Sequence, residues 1–130
     1  MTVKEASKIL GEVLAKESAV IAFNAAKAAY DADAELSAKL AEYRTARTLL
    51  GEIYANPNAT EEENRSADAL NTRLAELSEE IRQNPVYLAL EEAEAEVNRL
   101  MASVNADLSY YAFGEVPGCT HDCSSCSGCH

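Results

Sequence analysis

Hydrophobic residues recur every three or four positions through most of the chain, a spacing that places them on one face of an α-helix. The first such stretch predicts an amphipathic helix that ends near Lys16 or Glu17, with Ser18 as the cap of the next helix. Its apolar positions are Val3, Ala6, Leu10, Val13 and Leu14. Alternating runs rich in Val, Ile and Thr, which indicate strands, are nearly absent. The pattern therefore predicts an all-α protein.

The same period continues from Val20 to about Tyr54. Val20, Phe23, Ala26 and Tyr30 form a narrow stripe in an alanine-rich segment that would let another helix approach closely. Asp31 and Asp33 then suit either a helix cap or a continuing solvent-exposed turn. Beyond them the apolar positions are Leu36, Leu40, Tyr43, Leu50 and Ile53. They predict a third helix to about Tyr54, either separate from the second helix or continuous with it.

Turn and cap residues delimit two further helices. The segment Asn56-Pro57-Asn58 predicts a turn, and Thr60 with Glu63 forms a capping box for a helix that carries Ala67, Leu70, Leu74, Leu77 and Ile81. Asn84 caps the last helix, in which Pro85 occupies the first position. The apolar stripe of this helix is Val86, Leu90, Ala93, Val97, Met101, Val104, Leu108 and Tyr111. It predicts a helix to about Phe113, stopped by Gly114, Pro117 and Gly118.

Together these helices predict an elongated antiparallel helical hairpin or bundle over residues 1–113. A short, irregular, cysteine-rich tail follows over residues 114–130. The apolar stripes are thin, and isolated helical hairpins of this kind are only marginally stable. We therefore expect self-association into a bundle, with a dimer as the simplest state.

The chain is strongly acidic, with 11 Lys and Arg against 22 Asp and Glu and a formal net charge of −11. Direct binding to nucleic acid or to an anionic membrane surface needs a surplus of basic residues, so the composition disfavours both. The first ten residues lack the apolar run of a secretory signal, and no window approaches the roughly 18 apolar residues of a membrane span. We therefore expect a cytoplasmic protein.

All four cysteines lie in the tail, as Cys119, Cys123, Cys126 and Cys129. In a reducing cytosol such a cluster indicates a metal before a disulfide. Spacings of two or three residues let a short loop wrap its thiolates around one centre, and four thiolates suit either a [4Fe–4S] cluster or tetrahedral zinc. Structural zinc sites usually join two pairs of ligands that lie far apart in the sequence, so the compact run of four cysteines favours an iron–sulfur cluster. Zinc, and disulfides or free thiols, remain the alternatives.

The two histidines, His121 and His130, also lie in the tail. Either could replace a cysteine as a ligand, and His130, directly after Cys129, is included among the candidate metal ligands. A role as an exposed polar residue is equally open for both.

Nothing in the sequence indicates an enzyme. No predicted helix carries a histidine, so the Glu-x-x-His half of a di-iron site is missing. The acidic positions Glu91, Glu92, Glu94 and Glu96 are more simply a solvent-exposed face. A nucleophile such as Cys119 or Cys123 beside His121 would lack an apolar scaffold to hold its geometry.

Several segments together resemble the YlbF/YmcA family of small bacterial helical proteins. They are the Asn84-Pro85 helix start, the Glu91-Glu92-Ala93-Glu94 segment, Asn98, the Val104-Asn105 pair, and the earlier spacing of Ser18, Phe23 and Tyr30. The stronger link is the tail, because some members carry C-terminal cysteines of this kind. The position and spacing of the cysteines in such tails resemble those of Cys119, Cys123, Cys126 and Cys129.

The resemblance implies a non-enzymatic regulator. It implies that a member with a cysteine tail holds a [4Fe–4S] cluster and works in a complex with itself or with similar helical proteins and with a third protein. Such a complex would assist a membrane-anchored ribonuclease in maturing mRNA, with effects on competence, sporulation and biofilm formation. The alternative hypothesis is a helical homodimer with a structural or interaction role and a zinc-binding or idle tail, as tail-less relatives imply.

Overall fold

The computed structural model describes residues 1–114, and in this range the chain forms five α-helices. They are α1 (Val3–Leu14), α2 (Ser18–Ala32), α3 (Ala34–Ala55), α4 (Glu61–Gln83) and α5 (Pro85–Phe113). No strand occurs between residues 1 and 114. The prediction of an all-α fold is confirmed.

The helices pack mainly as two pairs. α3 packs against α4, and α2 packs against α5, with smaller contacts between α2 and α3 and between α4 and α5. Tyr30, near the end of α2, lies close enough to Tyr87, near the start of α5, to affect its ionisation, so α2 and α5 are antiparallel. One arm of a long hairpin is thus α2 followed by α3, and the other is α4 followed by α5.

Each arm breaks once, at a residue whose side chain caps the helix that follows. Asp33 has an extended backbone, and its Oδ1 accepts a hydrogen bond from the Leu36 N–H at 2.9 Å. Asn84 Oδ1 accepts from the Val86 N–H at 2.8 Å. Asp33 therefore separates α2 from α3, which the sequence pattern left open. The predicted cap at Asn84 is confirmed.

The other predicted helix ends differ in outcome. Thr60 and Glu63 form the expected capping box, and Gly114, with φ of 70°, ends α5 where the pattern predicted. The predicted cap at Ser18 is wrong. Ser18 is the first residue of α2, and Glu17 precedes it as the cap without a side-chain hydrogen bond. The Glu17 carbonyl accepts from the Val20 and Ile21 N–H groups, so the helical turn already includes Ser18.

The buried side chains lie mainly between α3 and α4 and near the two breaks. Leu36 and Leu77 are fully buried. The remaining buried residues of the described range are Ala46, Leu50, Ala67, Ile81 and Ala93. Six of these seven belong to α3 or α4, so this pair forms the main core.

An ion-pair network on the surface joins the same two helices. Arg73 of α4 donates through Nε to Glu42 Oε1 of α3 at 2.6 Å, and through a terminal nitrogen to Glu76 at 3.2 Å. The hydrogen bond from Arg73 lowers the pKa of Glu42, and the carboxylates around Arg73 raise the pKa of the guanidinium. These groups are exposed, so their main effect is to favour one alignment of α3 against α4.

Candidate functional site

The predicted metal ligands lie outside the described residues. Cys119, Cys123, Cys126, Cys129, His121 and His130 all follow residue 114. Their assignment to a cluster or to zinc therefore stays a prediction from spacing. Within residues 1–114, no three His, Cys, Asp or Glu side chains are grouped so as to hold a metal ion.

The described residues do contain an exposed apolar surface, and α1 forms one half of it. A capping box stabilises the helix start, in which the Glu5 N–H donates to Thr2 Oγ1 at 3.1 Å and the Thr2 N–H donates to Glu5. Yet α1 belongs to neither of the two main helix pairs of the described range. Val3 is 85% exposed and Val13 is 54% exposed. The predicted apolar face of α1 is therefore largely exposed at these two positions, while Leu10 and Leu14 are half-buried.

The second half of α5 forms the other part of this surface. α5 has 29 residues and α2 has 15. Because Tyr30 lies near Tyr87 and the two helices are antiparallel, the start of α2 lies beside α5 near residue 100. At about 1.5 Å per residue, α5 extends about 20 Å beyond this point. Leu108 and Tyr111 on this extension are 52% and 84% exposed. We call α1 together with residues 100–113 of α5 the open-end surface.

A groove marks the opposite end of the hairpin. It lies between the end of α3 and the start of α4, has a volume of about 690 Å³, and opens to solvent. Leu49, Ile53 and Leu70 supply apolar lining, and the small Ser66 and Ala69 leave room between the helices. Sequence reasoning missed this groove. The available signal was Leu49, which lies beside the buried Leu50 but off the predicted stripe.

Tyr87 marks the contact between the two arms near their breaks. Partial burial raises the pKa of its phenol, and the nearby Glu91 carboxylate raises it further. Glu91, Glu92 and Glu94 are exposed, as is Glu96. The prediction that these glutamates form a solvent-exposed face is confirmed. Between residues 1 and 114, no helix is both long and apolar enough to cross a membrane.

A family model described as control of competence regulator ComK, YlbF/YmcA matches residues 3–110. The chain belongs to the Com_YlbF family. The match begins at the first residue of α1 and ends within the last turn of α5. The resemblance to YlbF/YmcA proteins is thereby confirmed. Comparison with curated proteins gave no match. Comparison with solved structures also gave none.

Membership in Com_YlbF bears on function as well as on fold. The family description is that of a regulator, which agrees with the predicted regulatory role and with partners that are proteins. The matched range contains the whole open-end surface except the last residues of α5. It ends before the first tail cysteine, so the tail lies beyond the matched segment.

Proposed function

We propose that the protein is a non-enzymatic regulatory adaptor of the cytoplasm that works by binding other proteins. The observation that carries this proposal is the open-end surface, where exposed apolar side chains of α1 and α5 lie on otherwise well-formed helices. Clusters of exposed large apolar side chains are typical of protein–protein contact sites. The regulator description of the family supports the same conclusion.

The charge of the chain indicates which partners suit the adaptor. A net charge of −11 opposes direct contact with RNA, because RNA binding rests on neutralising phosphates. As the resemblance to YlbF/YmcA proteins implies, we propose that the protein acts within a complex of helical chains that assists ribonuclease-dependent mRNA maturation and developmental regulation. In such a complex another member would contact the RNA.

The tail supplies the second part of the proposal, a [4Fe–4S] cluster held by Cys119, Cys123, Cys126 and Cys129. The donor set fits the group, since four thiolates within eleven residues are what such a cluster requires. When bound, the cluster would make assembly of the complex depend on redox or iron state. His130 is the nearest substitute ligand if one thiolate is not used.

Metal analysis of the full chain tests the cluster directly. After anaerobic purification without a metal-binding tag, we expect broad absorbance at about 400 nm and roughly four iron and four sulfide per cluster. Cys123→Ser should lose the cofactor and keep its helix content by circular dichroism, because α1 to α5 lie before the tail. Ser124→Ala is the matched control and should keep both.

Two results would contradict the cluster. Stoichiometric zinc, or no metal after anaerobic handling, would leave the alternative of a helical homodimer with a zinc-binding or idle tail. Loss of the helical fold in Cys123→Ser would show that the tail is part of the core rather than an added element. Either result leaves the adaptor role of the open-end surface to be tested separately.

A further inference from the structure

The groove at the end of the hairpin remote from the open-end surface lies on a part of the protein that is two helices thick. Every residue that lines it belongs to α3, to α4 or to the turn that begins at Asn56. Leu49 is 45% exposed, and Ile53 and Leu70 are half-buried. Apolar side chains of both helices are therefore accessible in the groove to a further helix.

The rim of this groove is acidic. Glu52 lines its α3 side and Glu63 its α4 side, and within residues 1–114 neither forms an ion pair with a lysine or arginine. Arg73 also lines the groove, but its guanidinium is already bonded to Glu42 at 2.6 Å and to Glu76 at 3.2 Å. The groove thus combines apolar lining with two carboxylates that have no cationic partner in this range.

We propose that this groove binds a basic amphipathic helix of a partner protein. The inference rests on the proposed function and deepens it, since it gives the adaptor a second contact site and names the chemistry of the partner. An amphipathic helix fits a groove between two helices through apolar residues at every third or fourth position. Lysines or arginines beside that stripe would pair with Glu52 and Glu63.

The length of the groove suits a short helical segment. Its lining spans residues 49–56 on one side, about 10 Å, and residues 63–73 on the other, about 15 Å. These lengths correspond to roughly two or three helical turns, enough for two or three apolar anchor residues. Ser66 and Ala69 have short side chains, so the backbone of an incoming helix can approach α4 closely.

Other occupants suit this charge less well. RNA and an anionic membrane would meet Glu52 and Glu63 with charge of the same sign, as would a second copy of a chain whose net charge is −11. A small ligand would keep much of its surface in water, since the groove opens to solvent. A basic helix is attracted both by the rim and by the net charge of the chain.

Binding of a defined peptide to the full chain tests the proposal. The probe is a stapled helical peptide of about 12 residues with a stripe of leucines flanked by lysines. One control has the same composition in scrambled order, and the other has glutamate in place of lysine. At physiological salt, fluorescence anisotropy should show the probe binding at least about tenfold more tightly than either control. Equal binding of the scrambled peptide would overturn the proposal, because charge alone would then explain the affinity.

Two matched variants locate the contact. Ala69→Arg places a long, positively charged side chain in the groove and should weaken binding of the probe at least about tenfold. Ala75→Arg makes the same change at an exposed position of α4 outside the groove lining, and should leave the affinity within about twofold of the wild type. Circular dichroism checks that both variants keep their helix content. Equal affinity of the two variants would overturn the proposal.

Amide chemical-shift mapping separates the groove from the other surfaces. The probe should shift amides of residues 49–56 and 63–73 and leave those of residues 100–113 unchanged. Shifts confined to the open-end surface would overturn the groove as the site and leave the adaptor role standing. Shifts of the groove amides with protein concentration alone would overturn it in favour of a second copy. Iron content of the same samples reports the cluster independently, so loss of the cluster and loss of the groove contact are distinguishable.

Discussion

The α3–α4 pair and the open-end surface are built from similar amphipathic helices, but their apolar side chains are buried to very different extents. Leu36 and Leu77 are fully buried between the paired helices, whereas Val3 and Tyr111 at the open end are more than four-fifths exposed. Polar groups differ as well, since Arg73 and Glu42 join α3 to α4 across the surface. An amphipathic pattern therefore creates an apolar face, but only a neighbouring helix makes that face a core.

The largest expected effect comes from removing a core side chain. Leu77→Ala should lower the free energy of unfolding by about 2–5 kcal/mol, because it leaves a cavity between α3 and α4. Ile21→Ala, at a 56% exposed position of α2, should cost less than about 1 kcal/mol. Urea unfolding followed by circular dichroism measures both. Equal losses would remove the distinction between the two regions.

Hydrogen exchange sharpens the comparison at the level of whole helices. Amides of α1 should show protection factors at least about tenfold lower than those of α4, equivalent to about 1.4 kcal/mol. The reason is that α4 has tertiary contacts to break before it opens and α1 has few. Equal protection of α1 and α4 would show that α1 packs firmly on the rest of its own chain.

The break between α2 and α3 gives a smaller effect. Asp33→Ala removes the side chain that accepts from the Leu36 N–H, and should cost about 1 kcal/mol. Asp31→Ala, an exposed position two residues earlier, is the matched control and should change stability little. Thermal unfolding of the two variants checks the difference. If both lose the same stability, the cap at Asp33 is not what defines the break.

The surface ion pair gives the smallest effect. Arg73 lowers the pKa of the Glu42 carboxyl in the folded protein. The ion pair therefore stabilises the fold at pH values above the ordinary glutamate pKa, and this stability is lost as the pH falls through the lowered pKa. Glu42→Gln should therefore lower the melting temperature slightly at neutral pH, and the difference from wild type should vanish in acid and shrink in salt.

A control ion pair that lies within a single helix makes this measurement specific. Glu79→Gln breaks a pair with Arg82 within α4 and should change the melting temperature less than Glu42→Gln, which breaks a pair between two helices. A Glu42→Gln effect that is the same at all pH values would show that packing, and not charge, is responsible.

Predictions from the sequence were most successful where the decisive contacts are local. The caps at Thr60 and Asn84 and the stop at Gly114 follow from groups within three or four residues, and all three are observed. The failure at Ser18 is also local, since a backbone turn around Glu17 starts the helix one position earlier than the side-chain preference indicated. The candidate tail site rests on spacing alone and stays a prediction.

What the sequence by itself determined is the set of helices, their ends and the face of each that is apolar. Only the tertiary structure decided which of those faces are buried, that a groove opens between Leu49 and Leu70, and that Arg73 meets Glu42 31 positions away. The physical reason is that helix formation depends on neighbours along the chain, whereas burial depends on which distant segment lies alongside. The stripe of α5 is uniform in sequence, yet its first half is covered by α2 and its second half extends past it.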